Sequence, residues 1–430
     1  MVGSGDYPSV DPIADHGQAR TPRTGSAAVR LPKWLGLMAA VSPLISAGVA
    51  GAREVMVADA ARRRGVTTRD GVPVPAPSVG LGVAAAVDSL IAAPIPLLSS
   101  IGSPEHYAAA SAELDAAVRY YRDAGWLDTP ELRYRRPNAP SDVRIKSLSS
   151  GMEVARFDSG WRPEAGEPGG ERWLTFDANE QVHVRLLRHP GAPRPWLVAI
   201  HGQGMGRPSD VKMLRVRQIH QELGINVALP VLPLHGPRSS GGMSPDRKFA
   251  SNVFATNNVL GLTQSVWDIR RLLLWLRDDQ QAPAVGLLGL SLGSYVSSLL
   301  STLEGDLSCV LAIVPTSDLA ESMREAVPLV PTKRNLHRAV HDSRSAIVHR
   351  VVSPLASPCL VPHQRRHIVA GQVDRIAPPR GAVELWRHWD EPSIVWCPRG
   401  HVTAWRGAAY DDHIASVLNS CGLRYVSGNS

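Results

Sequence analysis

From about residue 142 onward, short strand-like segments alternate with segments of helical periodicity. The strand-like segments cover residues 143–145, 154–157, 173–176, 182–187, 196–200, 226–232, 284–288, 310–314, 368–369 and 393–396. Among them, 196–200 is a continuous apolar run of the kind that is buried on both faces. The runs at 173–176 and 182–187 flank a turn-like Asp-Ala-Asn and predict a hairpin. Helical spacing of apolar residues follows at 210–223, 260–277 and 405–418. Strands that alternate with helices predict an α/β fold with a mostly parallel central sheet flanked by helices.

The first 141 residues have a different pattern. Residues 1–30 are rich in Gly, Pro and Ser and are predicted to be disordered, whereas 31–141 is predicted to be a helical region. Two apolar stretches, 34–52 and 79–101, lie on either side of a basic turn that ends in three arginines. The second stretch is interrupted by Asp88. A third segment, 107–125, has the clean spacing of a helix that packs on the following domain.

Three interpretations of the stretch at 34–52 remain open. It has roughly the length of a membrane span, and Ala50-Gly51-Ala52 resembles a signal-peptide cleavage site. Alternatively, it is a helix that packs on the stretch at 79–101. Alanine and glycine contribute little transfer free energy, which favours the packed helix. Contact of residues 34–101 with a membrane surface stays open, and the expected location is the cytoplasm, with or without membrane association.

Composition excludes several classes of function. The chain has 430 residues, 44% of them hydrophobic, and a net charge of +7. Its basic residues are scattered and are not interleaved with stacking aromatics, so we expect no nucleic-acid partner. The four cysteines form no Cys-x-x-Cys pair and are expected to be buried free thiols. No cluster of His, Cys and Asp has the spacing of metal ligands, so we expect neither a metal nor another cofactor.

The motif Gly289-Leu290-Ser291-Leu292-Gly293 follows the apolar run at 284–288 directly and is followed by helix-forming residues. This order is typical of a nucleophile elbow, in which a strand turns sharply into a helix and exposes the serine. Glycines suit the flanking positions because side chains there would collide with the neighbouring backbone. Ser291 is therefore the candidate nucleophile.

A serine hydroxyl needs a base in contact with it, and the base needs an orienting acid. His401 follows the last predicted strand and is the candidate base. Asp374 follows the strand before it and is the candidate acid. Asp318, which follows the strand at 310–314, is the alternative acid. All of these residues come just after strands, where the chemistry of parallel sheets collects.

An oxyanion requires two convergent backbone N–H groups. Leu292, directly after the nucleophile, is one candidate donor. Gln203 is the other, because it lies in the glycine-rich turn that follows the strand at 196–200. That turn lacks the Gly-Lys-Ser/Thr ending of a phosphate-binding loop and the spacing of a dinucleotide fingerprint.

From about residue 195 to 419 the chain resembles the α/β-hydrolase superfamily. The resemblance rests on the motifs His201-Gly202-Gln203-Gly204, Gly289–Gly293, Gly371–Arg375 and Gly400-His401. It implies an α/β-hydrolase domain at 142–425 with a cap insertion around 319–362, where Met323, Leu329 and Val330 are candidates for an acyl pocket. Ser294 stands where the family often has a further glycine, and it is small enough for close helix packing.

The resulting hypothesis is a serine hydrolase of the esterase, lipase or thioesterase type, acting on a small-molecule acyl substrate that we expect to be hydrophobic. Two alternatives remain open. One is a serine peptidase or amidase with the same triad, and the other is a membrane-associated scaffold whose hydrolase domain has lost activity. The oligomeric state does not follow from the sequence.

Overall fold

The computed structural model describes residues 33–93, 102–149, 151–239, 253–328 and 330–425, with side chains from residue 43 onward. The disorder predicted for residues 1–30 lies outside this range, as does the end of the apolar stretch at 79–101. Contacts between Cα atoms divide the chain into residues 1–42 and 43–430. Every contact below lies within the second unit.

The described strands form a two-stranded hairpin and one large sheet. The hairpin consists of β1 (Thr68–Arg69) and β2 (Val72–Pro73). The sheet contains β3 (Arg144–Ser147), β4 (Glu153–Asp158), β5 (Gln181–Leu187), β6 (Trp196–Ile200), β7 (Asn226–Pro230), β8 (Val285–Leu290), β9 (Val310–Ile313), β10 (Arg366–Gly371) and β11 (Ser393–Cys397). Its order is β11-β10-β9-β8-β6-β7-β5-β4-β3. Neighbours from β11 to β7 pair in parallel, and those from β7 to β3 are antiparallel.

The described helices flank this sheet or precede it. They are α1 (Lys33–Arg63), α2 (Val79–Ala92), α3 (Pro104–Asp123), α4 (Gly170–Leu174), α5 (Asp210–Met213), α6 (Val216–Leu223), α7 (Ala255–Asp278), α8 (Leu292–Leu300), α9 (Leu319–Glu325), α10 (Pro331–Val340), α11 (Ser343–Arg350), α12 (Pro379–His388) and α13 (Ala408–Ser420). The predicted fold class, a mostly parallel sheet flanked by helices with a helical N-terminal region, is confirmed.

Both faces of the central strands are covered. Successive residues of β6 point to opposite sides, so Trp196 and Val198 join the apolar cluster under α3, α7 and α8. Leu197 and Ala199 join the cluster under α6 and α13. A strand buried on both faces has no polar alternation, which is why the run at 196–200 is continuously apolar.

The helix predicted at 107–125 corresponds to α3 and ends before Gly125, whose φ is 73°.

The strand predicted at 173–176 is wrong. Trp173 and Leu174 are the last two residues of helix α4, and Thr175 and Phe176 follow it. The helix begins after Gly169, whose φ is 81°. The Trp173 indole is buried, and its Nε1 donates to Gln264 Oε1 at 2.8 Å. The apolar side chains therefore serve a short helix that packs on α7. The hairpin partner of β5 is β4 instead, with Val154 opposite Arg185.

The basic turn predicted between the two apolar stretches is also misplaced. Helix α1 continues through Arg53 to Arg63, and the chain reverses at Gly65 and in the small β1–β2 hairpin. The backbones of α1 and α2 approach each other so closely that a Cβ on Gly51 would lie under 3.0 Å from Gly82 O. Among the described helices, none combines the length and hydropathy needed to cross a bilayer.

Candidate active site

Ser291 occupies a strained turn between β8 and α8. Its backbone has φ 55° and ψ −115°, a combination that side-chain-bearing residues rarely adopt. Three backbone hydrogen bonds hold it there. Ser291 N donates to Ile313 O at 2.9 Å, and Ser291 O accepts from the N–H groups of Ser294 and Tyr295 at 2.8 and 3.1 Å. Strain of this kind persists only where the surroundings over-determine the conformation.

The two glycines of the motif are required by close backbone contacts. A Cβ on Gly289 would lie under 3.0 Å from Gly293 O, and a Cβ on Gly293 would lie under 3.0 Å from Ile200 O. The helix after the serine thus touches its own strand and the end of β6. Ser294 is fully buried, and its Oγ donates to Ser291 O at 2.7 Å. A serine therefore fits where the resembled family often has glycine.

The structure brings Ser291, His401 and Asp374 into one hydrogen-bonded chain. Ser291 Oγ lies 2.9 Å from His401 Nε2, and His401 Nδ1 lies 2.7 Å from Asp374 Oδ2. The second oxygen, Asp374 Oδ1, accepts from Ile376 N at 2.9 Å and Ala377 N at 2.7 Å. The carboxylate is therefore fixed by its own loop and orients the imidazole, whose other nitrogen faces the serine hydroxyl.

Electrostatics favour a basic imidazole at this position. Burial disfavours the charged form of His401, but the charge and hydrogen bond of Asp374, together with the charge of Asp88, outweigh burial and raise its pKa. Asp318, the alternative acid, serves elsewhere. Its side chain caps helix α9 by accepting from Glu321 N at 2.9 Å. Asp374, not Asp318, contacts the imidazole.

The glycine-rich turn after β6 lies beside Ser291. A Cβ on Gly202 would lie 3.4 Å from Ser291 Cβ, so the turn passes within contact distance of the serine. His201 holds this turn, because its Nδ1 lies 2.8 Å from Gly202 O and its Nε2 accepts from Leu232 N at 3.1 Å. Burial lowers the pKa of His201 to about 4, so the ring is neutral and structural. Gln203 follows Gly202 directly, and Leu292 is the first residue of α8.

The region predicted as a cap contains α9, α10 and α11. Met323 is buried, and its Sδ accepts from Asn258 Nδ2 at 2.8 Å. Val330 is 40% exposed. Leu329, the third candidate for an acyl pocket, lies outside the described residues. Of the three, only Met323 is therefore seen packed into the interior.

One residue beside this site is not predicted from the sequence. Asp88 of α2 is fully buried, and its carboxylate accepts from His401 N at 2.5 Å, Val402 N at 3.2 Å and Arg375 N at 3.2 Å. The sequence signal for it is a lone acid in an otherwise apolar helix. By pattern alone this acid only interrupts the apolar stretch, whereas in the fold it is a buried contact with the loops that carry His401 and Asp374.

Metal ligands are not gathered in the described ranges. No group of three or more His, Cys, Asp or Glu side chains in them has a geometry suited to a metal ion. The four cysteines are free thiols, of which Cys309 and Cys359 are buried and Cys397 and Cys421 are half-buried. The buried-thiol prediction thus holds fully for two of the four.

Two proteins of Mycobacterium tuberculosis are similar to this chain over most of its length. They are the uncharacterized protein MT2702 of strain CDC 1551 / Oshkosh and the uncharacterized protein Rv2627c of strain ATCC 25618 / H37Rv. Each is 36% identical over 359 residues, which cover 82% of this chain and 86% of the relative. The chain belongs to their family. No protein-family model matches it.

Solved structures with some likeness to this member of the MT2702/Rv2627c family include two acetyl xylan esterases. Acetyl xylan esterase 1 from Thermoanaerobacterium sp. JW/SL YS485 has a TM-score of 0.49 and 13% identity, and the match covers 69% of this chain and 92% of the esterase. The enzyme from Paenibacillus sp. R4 has a TM-score of 0.46 and 12% identity, with coverages of 70% and 93%. Both TM-scores lie below 0.5, so nothing about activity follows from them.

Proposed function

We propose that this protein is a serine hydrolase that cleaves an acyl ester or thioester through an acyl-enzyme intermediate. The observation that carries the proposal is the continuous chain of contacts from Asp374 through His401 to Ser291, with distances of 2.7 and 2.9 Å. A hydroxyl, a neutral imidazole and a carboxylate in this order make an activated nucleophile. The strained elbow at Ser291 presents that nucleophile at the carboxyl ends of the parallel strands.

In the proposed reaction Ser291 Oγ attacks the acyl carbonyl while His401 Nε2 takes the hydroxyl proton. Asp374 holds the ring with Nδ1–H directed at the carboxylate and stabilises the imidazolium that forms. The imidazolium then gives its proton to the leaving alcohol or thiol, and the acyl group remains on the serine. His401 next takes a proton from water, which attacks the acyl carbonyl. The bond from the acyl carbon to Ser291 Oγ then breaks, His401 returns the proton to Oγ, and the acid is released.

The oxyanion of each tetrahedral intermediate is proposed to bind to the backbone N–H groups of Leu292 and Gln203. Leu292 is the first residue of α8, so its N–H has no acceptor within the helix. Gln203 belongs to the turn whose Gly202 lies against Ser291. The positive end of the α8 dipole adds to the stabilisation of the negative charge.

We further propose that the substrate is a small compound with an apolar acyl group, because the predicted cap contains the buried, apolar Met323. A peptidase with the same residues would attack an amide instead. A panel of p-nitrophenyl esters of increasing acyl length, run beside aminoacyl amides, separates the two. Because a peptidase would also cleave activated esters faster than amides, the proposal is supported by ester turnover without measurable amide turnover, and turnover of the amides would favour the peptidase.

The decisive experiment is labelling with a fluorophosphonate probe together with p-nitrophenyl ester turnover. We expect the wild type to be labelled at Ser291, and Ser291→Ala to lose labelling and about 10³-fold or more of kcat. Ser298→Ala is the matched control. Ser298 lies on the same helix, is buried, and its Oγ has no hydrogen-bond partner among the described residues. Equal turnover in Ser291→Ala and the wild type would refute the proposal, and an unlabelled, inactive wild type would favour the inactive scaffold.

A further inference from the structure

Asp88 is a buried acid whose charge is not balanced by a basic side chain. It is the one charged residue of α2, and it is fully buried. In the described part of the chain it is paired with three backbone N–H groups and with no arginine or lysine head group. A buried carboxylate is costly unless its hydrogen bonds are satisfied. These three donors are therefore what keeps the acid in place.

The three donors belong to two different loops. Arg375 N lies next to the candidate acid Asp374, in the loop after β10. His401 N and Val402 N lie in the loop after β11, which carries the candidate base. One carboxylate thus bridges the backbones of the two segments whose side chains must meet at 2.7 Å.

Helix α2 packs tightly against the loop after β11, which carries His401. A Cβ on Gly400 would lie under 3.0 Å from both oxygens of Asp88, so the residue before His401 is glycine because the acid occupies that volume. Next to the carboxylate, Val373 packs in a small apolar cluster with Leu81, Ala84 and Ala85 of α2. Helix α2 therefore contacts the loop after β10 through apolar side chains, and it contacts both loops through hydrogen bonds.

We propose that Asp88 is a positioning residue of the active site, supplied by the N-terminal helical region, which fixes the backbone of His401 relative to the loop of Asp374. The proposal rests on the proposed hydrolase function and deepens it. A shift of about 1 Å in a catalytic group is enough to cost on the order of 100-fold in rate. Loss of the bridge should therefore lower kcat far more than it changes KM.

The same carboxylate acts on the imidazole electrostatically. Its negative charge is among the causes that raise the pKa of His401, after the opposing effect of burial and the charge and hydrogen bond of Asp374. Burial, and after it the charge of Asp374, raise the pKa of Asp88 itself, while its three backbone N–H partners lower it. The Arg375 guanidinium on the same loop is paired with Glu54 of α1 at 2.9 Å. Neutralising Asp88 should therefore lower the pKa of His401.

The test compares Asp88→Asn with Glu54→Gln. The asparagine keeps the shape but turns an NH₂ group towards backbone donors, so we expect kcat for a p-nitrophenyl ester to fall on the order of 10- to 100-fold with KM changed less than about threefold. The acidic limb of the kcat/KM profile should move to lower pH. Glu54→Gln removes a carboxylate that contacts the Arg375 side chain but not the backbone of either loop. It should leave kcat and the acidic limb of the kcat/KM profile unchanged.

Two results would overturn the proposal. One is an Asp88→Asn enzyme with kcat within about twofold of the wild type and an unmoved acidic limb. The other is an equal loss in Glu54→Gln, which would assign the effect to docking of the helices in general. If Asp88→Asn does not fold, Gly400→Ala takes its place, since it pushes the loop off the carboxylate and keeps the charge. Full activity of a folded Gly400→Ala enzyme would contradict the proposal.

A readout without substrate separates this proposal from the hydrolase proposal. Histidine labelled at Cε1 with ¹³C gives the pKa of His401 by NMR titration, assigned by the loss of its signal in His401→Asn. We expect a lower pKa in Asp88→Asn than in the wild type, whether or not the ester is a substrate. An inactive wild type with this shift would refute the hydrolase and keep the contact of Asp88 with the loop of His401. An active wild type whose Asp88→Asn variant shows neither this shift nor a loss of kcat would keep the hydrolase and overturn the positioning role.

Discussion

Replacing Ser291 by glycine should stabilise the fold relative to replacing it by alanine. Both changes remove the hydroxyl that contacts His401, so the loss of that hydrogen bond cancels in the comparison. What differs is the Cβ, which alanine keeps at φ 55° and ψ −115°. Glycine adopts positive φ without steric cost, so only the alanine variant retains the backbone strain.

The magnitude follows from two opposing contributions. A side-chain-bearing residue in a sparsely populated backbone region costs about 1–3 kcal/mol. This gain is partly offset, because the unfolded chain with glycine has a larger conformational entropy, which lowers the free energy of unfolding by roughly 0.5–1 kcal/mol. Taking the middle of each range, we expect the free energy of unfolding of Ser291→Gly to be about 1 kcal/mol higher than that of Ser291→Ala.

The assay is urea unfolding followed by tryptophan fluorescence, with the free-energy difference taken from the midpoints at equal slope. The same pair of changes at Ser298, in the regular part of α8, is the control. There we expect the opposite sign, with glycine about 1 kcal/mol less stable than alanine. If Ser291→Gly is no more stable than Ser291→Ala, while the Ser298 pair behaves as expected, the backbone at Ser291 is not strained and the prediction is wrong.

Three further predictions concern charge. Because His401 must be neutral to act as a base and its pKa is raised, kcat/KM should rise with pH through a value above the ordinary 6.5 of histidine, and an acidic limb below 6.5 would contradict the assignment. Asp374→Asn should lower kcat by about 10³–10⁴-fold. Asp268 and Arg238 form an ion pair that is almost completely buried, so Asp268→Asn should lower the free energy of unfolding by about 3–5 kcal/mol. Asp142→Asn, which breaks an exposed pair, should change it by less than about 0.5 kcal/mol, and equal effects would show that burial does not decide the cost.

Local pattern was sufficient for the parts of the fold in which a strand and its neighbours are buried on both faces. The run at 196–200 is apolar throughout because both of its sides meet helices, and this property is visible in the sequence. Pattern failed at Trp173, because Trp-Leu-Thr-Phe, with three apolar residues and one threonine, is compatible with a short strand or a short helix. The choice was made by burial of the indole against α7 and by its hydrogen bond to Gln264, which lies 91 positions away.

The chain by itself determined the alternation of strands and helices from β6 onward, the glycines around Ser291, and the positions of Asp374 and His401 after successive strands, because these depend on residue type and short spacing. Only the tertiary structure decided that Asp374, rather than Asp318, meets the imidazole, and that Asp88 reaches the backbone of His401 across 313 positions. Contacts of that separation depend on how the helices pack on the loops. No local period encodes them, so an acid in an apolar helix looks the same whether it faces water or a catalytic loop.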